Sequence, residues 1–600
     1  MIIQLMVDRA RNARTAITAT IATIAIVVAA LISVTVHGFV FGINNNIFHI
    51  PLALKWADDP IFANDQFIQS LRHFTSLVWV GVQRIATNDN IEVVFYLLHL
   101  LTRAASLLAL ALAARQLGIC GLVPTTFMAF WFGIVRGLRW ETPVGAGEIF
   151  TVFFSHSAVA IPVAIVAIVL GARRSYFWAF ATLGVIANIN AFIAMWVGWA
   201  LVGVLAGDRH DFTKAVILSL AGLALAAVAS LPVALWIYAT IDSQTVSGLE
   251  RTQFLLHYHA SHSLIDGTPT ERIVLFGAVA VSGLIGFRLI GLAAKAWFDA
   301  LLALCVLVIT GMLLPEIVRS RFLLDLHLIR ASALVQLLGI LGLSVAAMLR
   351  LNSPSPTRSV GGALAMCLLA LPALQGILLA AAVMLSAERK EWKRRDAASA
   401  VLVVVAMMTA ELWDTKALLS VGGAIAAAFI VLRGYIASRS GPEPKVLGTA
   451  IVAALACVAV YTYEVHRSMQ SAADWEDARD AAHWARSSTP RDASFLVPQA
   501  PLSDTTSLFE SLARRRIWVE WKRGGAAMWA PAYYSEWSKR MAEVAPLAHL
   551  ASKLSYACTN DIDYVLIGPE TKLEGLPRTL APVYSNEHFR IFAARSWCAS

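Results

Sequence analysis

Residues 15–67 read TAITATIATIAIVVAALISVTVHGFVF and then GINNNIFHIPLALKWADDPIFANDQF, an apolar run that passes straight into a polar loop. Residues 15–41 contain no Asp, Glu, Lys or Arg and exceed the roughly 20 residues that cross a hydrocarbon core. Lipid offers the backbone no hydrogen-bonding partner, so such a run folds as a helix. Arg9, Arg11 and Arg14 precede it. By the positive-inside rule they put its amino end in the cytoplasm, and the length of the run argues for a retained helix over a cleaved leader. The loop that follows offers three carboxylates (Asp58, Asp59 and Asp65), the imidazole of His49 and five amides, Asn46 among them. In a chain made mostly of spanning helix, polar groups gathered at one membrane face are where chemistry is expected.

The rest of the composition agrees. Of 600 residues, 58% are hydrophobic and 14% charged, and the mean hydropathy is +0.67, values of a membrane protein. The net charge of +9 is carried largely by short loops, where it orients spans. No basic patch interleaved with aromatics occurs, which argues against nucleic-acid binding. Apolar runs recur at 91–114, 121–138, 152–170, 176–189, 191–206, 215–241, 272–294, 297–315, 326–349, 360–387, 398–414, 417–433 and 446–463, giving about 13 spans. Residues 66–86 have helical apolar spacing and predict an amphipathic helix lying at the interface. Basic residues flank both ends of 360–387, which puts both ends inside, so one of the pairs 176–206 or 398–433 is expected to be a bent span or a half-helix pair.

Near residue 471 the composition turns polar. Short apolar runs at 494–497, 517–521 and 563–567, a hairpin about Asn586-Glu587, and helical stretches at 475–486, 504–515 and 531–544 predict a small α/β domain. The expected architecture is an all-α polytopic membrane region, 1–470, with its first external loop at 42–90, and a C-terminal α/β soluble domain, 471–600, outside the membrane. Cys558 and Cys598 could pair there if the compartment is oxidising.

Four clusters could carry chemistry. In the first loop, Asp65, with Asp58 and Asp59 near it in sequence, could take a proton, with His49 and Asn46 as substrate contacts. A second loop holds Arg136, Arg139, Glu141, Glu148 and His156, of which Glu148 is the candidate for substrate binding. The third contains His257, His259 and His262; the spacing matches no closed zinc pattern and no cysteine is near, so sugar or phosphate contact is favoured over metal. The fourth contains Glu316, Arg319, Asp325, His327 and Arg330. An arginine at the start of an apolar span is costly, and its simplest use is as a phosphate clamp. No metal site and no cofactor is assigned, although a divalent metal stays open.

This layout resembles the GT-C superfamily of integral-membrane glycosyltransferases, bacterial members with a small periplasmic tail domain above all. The residues that carry the resemblance are the first helix with its acidic loop and following helix (42–86), the 316–330 segment, and the tail stretches 484–497 and 583–592. The Asp-Glu or Asp-X-Asp pair of many relatives is absent; Asn44-Asn45-Asn46 stands in its place and only Asp58-Asp59 are adjacent. The resemblance implies a multi-pass protein of the bacterial inner membrane that moves a sugar from a polyprenyl-phosphate carrier to a periplasmic glycan, lipid or protein acceptor. It implies Asp65, or Asp58 or Asp59, as base and Arg330 as clamp. The rival readings are a polytopic transporter or lipid flippase, which predicts inverted repeats and midplane charges, and a non-catalytic membrane scaffold.

Overall fold

Apolar runs that the sequence leaves without charge become helices that run back and forth between two polar faces. The computed structural model describes residues 2–139, 141–208, 210–240, 253–255, 258, 260–266, 268–318, 320–370, 375–389, 473–499, 504–573 and 580–598. Among the described residues, six helices are long and apolar enough to cross a membrane: Ala19–His37, Ile91–Gln116, Phe212–Thr240, Thr270–Ile290, Leu292–Ile317 and Phe322–Leu351. Shorter apolar helices, Leu122–Ile134, His156–Ala172, Tyr176–Ile189, Ala191–Gly207 and Gly376–Glu388, pack with them. Leu97, Leu101, Leu108, Ile217, Leu220, Val228 and Leu235 remain exposed along these helices, a surface that only lipid would cover favourably. The protein is a multi-pass membrane protein. Predicted spans at 398–414, 417–433 and 446–463 lie outside the described residues.

Contacts between helix ends define the two faces. On one, Arg174 and Tyr176 meet Asp208, Lys295 reaches the Gly207 carbonyl, and Arg350 reaches both the Leu289 carbonyl and Glu388. Arg173, Arg288 and Arg358 belong to this basic face. On the other, Trp236 donates to the Arg72 carbonyl, Arg272 faces Glu141, Ser332 donates to the Val144 carbonyl, and the C-terminal domain packs.

Two readings of the membrane region are corrected. The helix expected over 66–86 is instead Gln66–Ser70, a 3-10 turn Leu71–His73 and Leu77–Val82. Phe67, Ile68, Leu71, Trp79 and Val82 are buried in protein, not at a lipid interface, and Phe74 breaks the helix by turning extended. The single span expected over 360–387 is two helices, Pro356–Ala370 and Gln375–Arg389, packed on each other. Arg350 and Arg358 both pair with Glu388, at 2.6 and 3.0 Å, so both ends of this hairpin share the basic face. Of the two pairs expected to hold a bent span or a half-helix pair, 398–433 lies outside the described residues and 176–206 is described. There Tyr176–Ile189 and Ala191–Gly207 are two helices hinged at Asn190, whose backbone is extended.

The C-terminal domain holds a five-stranded sheet: β1 Ser494–Leu496, β2 Arg516–Ile517, β3 Tyr564–Ile567, β4 Tyr584–Ser585 and β5 Arg590–Ala593, in the order β2-β1-β3-β5-β4. β1 is parallel to β2 and β3, while β5 is antiparallel to β3 and β4. Helices Ala473–Ser488, Asp504–Ala513, Tyr533–Val544 and Leu550–Thr559 cover it. Cys558 and Cys598 form a disulfide. The core of this domain is continuous with the first external loop: Ile47, Phe48, Phe67 and Trp79 belong to one apolar cluster with Phe495, Phe509, Trp521 and Trp537.

Candidate functional site

Where the first loop meets the C-terminal domain, each carboxylate singled out in the sequence is already engaged. Asp65 caps the helix Gln66–Ser70 by accepting from the Ile68 N–H at 3.1 Å. Its other oxygen lies 3.4 Å from Arg523, and Arg523 donates from Nε to Glu510 at 2.8 Å. These three side chains are 8%, 2% and 3% exposed. Arg523 also lies over the Phe67 ring and donates to the Ile517 carbonyl. Asp59 caps the turn Pro60–Phe62 and pairs with Arg491 at 2.6 Å. Asp58 pairs with Arg72 at the surface. Asn46 is a buried brace, accepting from the Gly42 N–H and donating to the Phe154 carbonyl. His49 is buried, stacked on Trp79 with centroids 4.4 Å apart and 5.7 Å from the His156 ring. Burial first, then His156, holds its pKa well below the usual value.

A different group of residues surrounds open space. A cavity of about 570 Å³, mouth included, is lined by Glu148, Ser157, Asn190, His327 and Arg330 together with Ile161, Phe192, Ile193, Trp196 and Leu334. Local chemistry puts Glu148 and Arg330 on the same wall. Thr142 and Gly147 close a loop by reciprocal bonds, Thr142 N–H to the Gly147 carbonyl at 2.8 Å and Gly147 N–H to Thr142 Oγ1 at 2.9 Å. Ser332 Oγ clamps that loop through the Val144 carbonyl at 2.6 Å. Gly145 has φ +78°, and a Cβ there would stand 2.6 Å from the Ile329 carbonyl oxygen, so only glycine lets the loop approach the 329–333 backbone. Glu148 follows directly.

Asn190 forms the opposite wall. Its side chain caps the helix Ala191–Gly207 and donates to Ser157 Oγ at 3.0 Å. His156 neighbours it, with Nε2 at 3.3 Å from Asn190 and Nδ1 buried without a partner. His327, in a left-handed conformation, holds Ser263 at 2.7 Å and meets the Phe192 ring. Ile161, Ile193 and Trp196, on the helices His156–Ala172 and Ala191–Gly207, give the lining an apolar part beside its polar one.

The charges here are uncommitted. Among the described residues, none hydrogen-bonds to or pairs with the Glu148 carboxylate, and Arg330 Nε is buried without a partner. Glu148 is exposed and belongs to the cavity lining. Desolvation by the surrounding protein foremost, and Glu141 next, raise its pKa, while Lys522, Arg139 and Arg330 oppose them. A carboxyl raised in this way holds its proton to higher pH than a free glutamate and lies next to a place for an anion.

Of the other residues singled out in the sequence, Glu316 accepts from the Ile265 and Asp266 N–H groups at 3.0 and 3.1 Å, and His262 closes the turn Ala260–His262. His257, His259 and Arg319 lie outside the described residues. The cavity thus brings Glu148 and Arg330 together without Asp58, Asp59, Asp65, His49 or Asn46. Sequence reasoning passed over Asn190. A lone amide between two apolar runs was the available signal for Asn190. Among the described residues, the group spaced to hold a metal ion is Asp477, Glu587 and His588 on the C-terminal domain, and none of these lines the cavity.

Comparison with known proteins adds little. A family model described as a domain of unknown function, DUF6798, matches residues 476–544. No curated protein matches the chain. The chain is similar to two crystal structures of ArnT from Cupriavidus metallidurans. One, in the apo state, has a TM-score of 0.45 at 12% identity, covering 98% of this chain and 99% of that one. The other, bound to undecaprenyl phosphate, has a TM-score of 0.44 at 12% identity, covering 97% and 98%. A likeness this shallow assigns no activity.

Proposed function

We propose that this protein is a membrane glycosyltransferase that moves a sugar from a polyprenyl-phosphate carrier to an acceptor hydroxyl, with the chemistry at the mouth of the Glu148–Arg330 cavity. The observation that carries the proposal is that cavity: a carboxylate and an arginine, 182 positions apart in sequence and unpaired among the described residues, in a lining that is otherwise partly apolar and set between membrane helices. Glu148 takes the acceptor proton as the acceptor oxygen bonds to the anomeric carbon. The bond from that carbon to the phosphate oxygen breaks, its electron pair leaves with the phosphate, and Arg330 holds the charge that results. Attack opposite the leaving group inverts the anomeric centre. The recess receives the first prenyl units and so fixes the phosphate at the face. In this reading the base moves from Asp65 to Glu148, because Asp65 is committed to a helix cap and a buried ion pair.

The site face is read as periplasmic. Support comes from the basic residues on the opposite face and from the Cys558–Cys598 disulfide, which favours an oxidising compartment. The test is transfer from a labelled polyprenyl-phosphate sugar by the purified protein. Glu148→Gln and Arg330→Gln should each abolish most of it, and retention of full activity by Glu148→Gln would reject the assignment of the base.

A further inference from the structure

The helix Ser332–Leu351 has a guanidinium at each end: Arg330 lies just before it, in the lining it shares with Glu148, and Arg350 lies in its last turn. Its 20 residues, at roughly 1.5 Å each, put those ends about 30 Å apart, the thickness of a hydrocarbon core. Arg350 therefore belongs to the opposite membrane face. There it lines a second cavity of about 930 Å³, mouth included, with Arg288, Arg358, Ser353 and Glu388, and Leu289, Ile290 and Leu349 make the lining partly apolar.

Close helix packing builds this cavity. A Cβ on Gly286 would stand 2.7 Å from the Leu343 nitrogen, and one on Gly362 would stand 2.6 Å from the Ala347 carbonyl oxygen and 3.0 Å from Arg350 Cβ. The helices Thr270–Ile290 and Pro356–Ala370 thus lie directly against Ser332–Leu351, and Arg350 is caught between them with 8% of its side chain exposed. Its Nη atoms donate to the carbonyls of Ala346 and Leu289 at 3.3 and 3.2 Å and to Glu388 at 2.6 Å, while Nε is buried without a partner. Arg358 shares the Glu388 carboxylate at 3.0 Å. Arg288 is exposed at the rim, and among the described residues nothing pairs with it. Ser353 Oγ accepts from the Ser355 N–H at 3.3 Å and keeps its own proton to donate. One carboxylate serves three guanidiniums, which leaves two positive charges in excess. In the neighbouring cavity on this face the charges are better matched: Asp208 pairs with Arg174 and Asp299 with Lys295, and Arg173 alone is left over. Orienting the spans requires basic residues near the helix ends, but it does not require burying one with an orphaned donor.

We propose that this second cavity binds the phosphate headgroup of an anionic phospholipid, in the leaflet opposite the Glu148–Arg330 cavity. Guanidiniums match phosphate oxygens in pairs, and the Ser353 hydroxyl can donate to another. The apolar part of the lining receives the first carbons of an acyl chain, for which a free phosphate has no use. A basic pocket between helix ends is suited to such a headgroup. Binding relieves the repulsion among Arg288, Arg350 and Arg358 and ties together the helices that carry them. No residue of the transferase site takes part, so this inference stands or falls apart from that reading.

The experiment titrates the full chain in neutral detergent with short-chain phosphatidylglycerol, short-chain phosphatidylcholine and soluble glycerol phosphate, and reads bound lipid by native mass spectrometry. The parent should bind phosphatidylglycerol about tenfold or more tighter than phosphatidylcholine, since each cation near an anionic headgroup contributes about fivefold in affinity. Combining Arg288→Gln with Arg358→Gln should cut that preference to about twofold or less, whereas Arg173→Gln, in the neighbouring cavity, should change it less than about twofold. Equal binding of the two lipids by the parent, or a preference that survives the double substitution, would overturn the proposal. An equal loss in Arg173→Gln would overturn it too, reducing it to a general attraction of the basic face. Glycerol phosphate that displaced the lipid at equal concentration would move the site to soluble phosphate esters and overturn the lipid assignment. Should the double variant not fold, phosphatidylglycerol should shield Arg288 of the unaltered protein from phenylglyoxal, and unchanged labelling would count against the proposal.

Discussion

Asp65 and Glu148 are both acidic residues in loops on the same face, and their surroundings are opposite. Asp65 accepts from a helix N-terminus and lies against Arg523, sealed between the first loop and the C-terminal domain. Glu148 faces open space, with cations nearby but none bound to it among the described residues. A carboxylate committed to a cap and a buried guanidinium gives up those contacts if it takes a proton. One held among unpaired charges exchanges a proton at little structural cost. Commitment, more than acidity, separates a latch from a base.

The sharpest break of this comparison is Glu148→Gln. Removing a general base costs about 10²–10⁴ in rate, so transfer should fall by that factor while the melting temperature stays near that of the parent. The parent's pH profile carries the same information. A base works deprotonated, and the Glu148 pKa is raised above the ordinary carboxylate value, so activity should climb with pH through a range above that of a free glutamate. A profile already flat from pH 5 upward would argue against Glu148.

Arg523→Met attacks the other side. It leaves Asp65 and Glu510 buried without their cation, a change that costs about 3–5 kcal/mol. The expected readout is a large drop in thermal stability, with transfer lost in proportion to unfolding. Asp65→Asn keeps an oxygen to cap Ile68 and leaves Arg523 with Glu510, so it should destabilise less and keep turnover in the folded fraction. Should Asp65→Asn melt like the parent and transfer nothing, the base returns to the first loop.

How much of this was legible in the sequence follows the same division. Span runs were readable because length and missing charge are local properties, and helices 176–189 and 191–207 fall nearly where the apolar pattern put them. The 66–86 helix was misread because apolar spacing looks the same whether it faces lipid or Trp79's buried neighbours. The 356–389 hairpin hid inside one apolar run, although Pro372 and Gly376 mark the break in the sequence. Glu148 and Arg330 stood out singly, as acid and base at the ends of apolar runs. Their sharing one cavity depends on how Gly145 lets two loops touch, which no local pattern states. The latch was invisible because Arg523 is 458 positions from Asp65.

Gly145→Ala tests the geometry between base and clamp. A side chain at φ +78° is strained by about 1–3 kcal/mol, and relief requires the 142–147 loop to retreat from Ile329, taking Glu148 with it. Turnover should therefore drop more than tenfold, with modest loss of stability, and a variant with parental kcat would show that the loop does not set the site.

Asp59→Ala gives the smallest effect and calibrates the others. Asp59 also links the first loop to the C-terminal domain, but its partner Arg491 is 69% exposed, so water and salt screen the pair and its loss should cost under about 1 kcal/mol. Raising ionic strength should erase even that difference from the parent, whereas the Arg523→Met deficit should survive it, since a pair inside the interface is hardly screened. If instead Asp59→Ala destabilised as much as Arg523→Met, the domain would be held by the rim of its contact and not by the sealed pair.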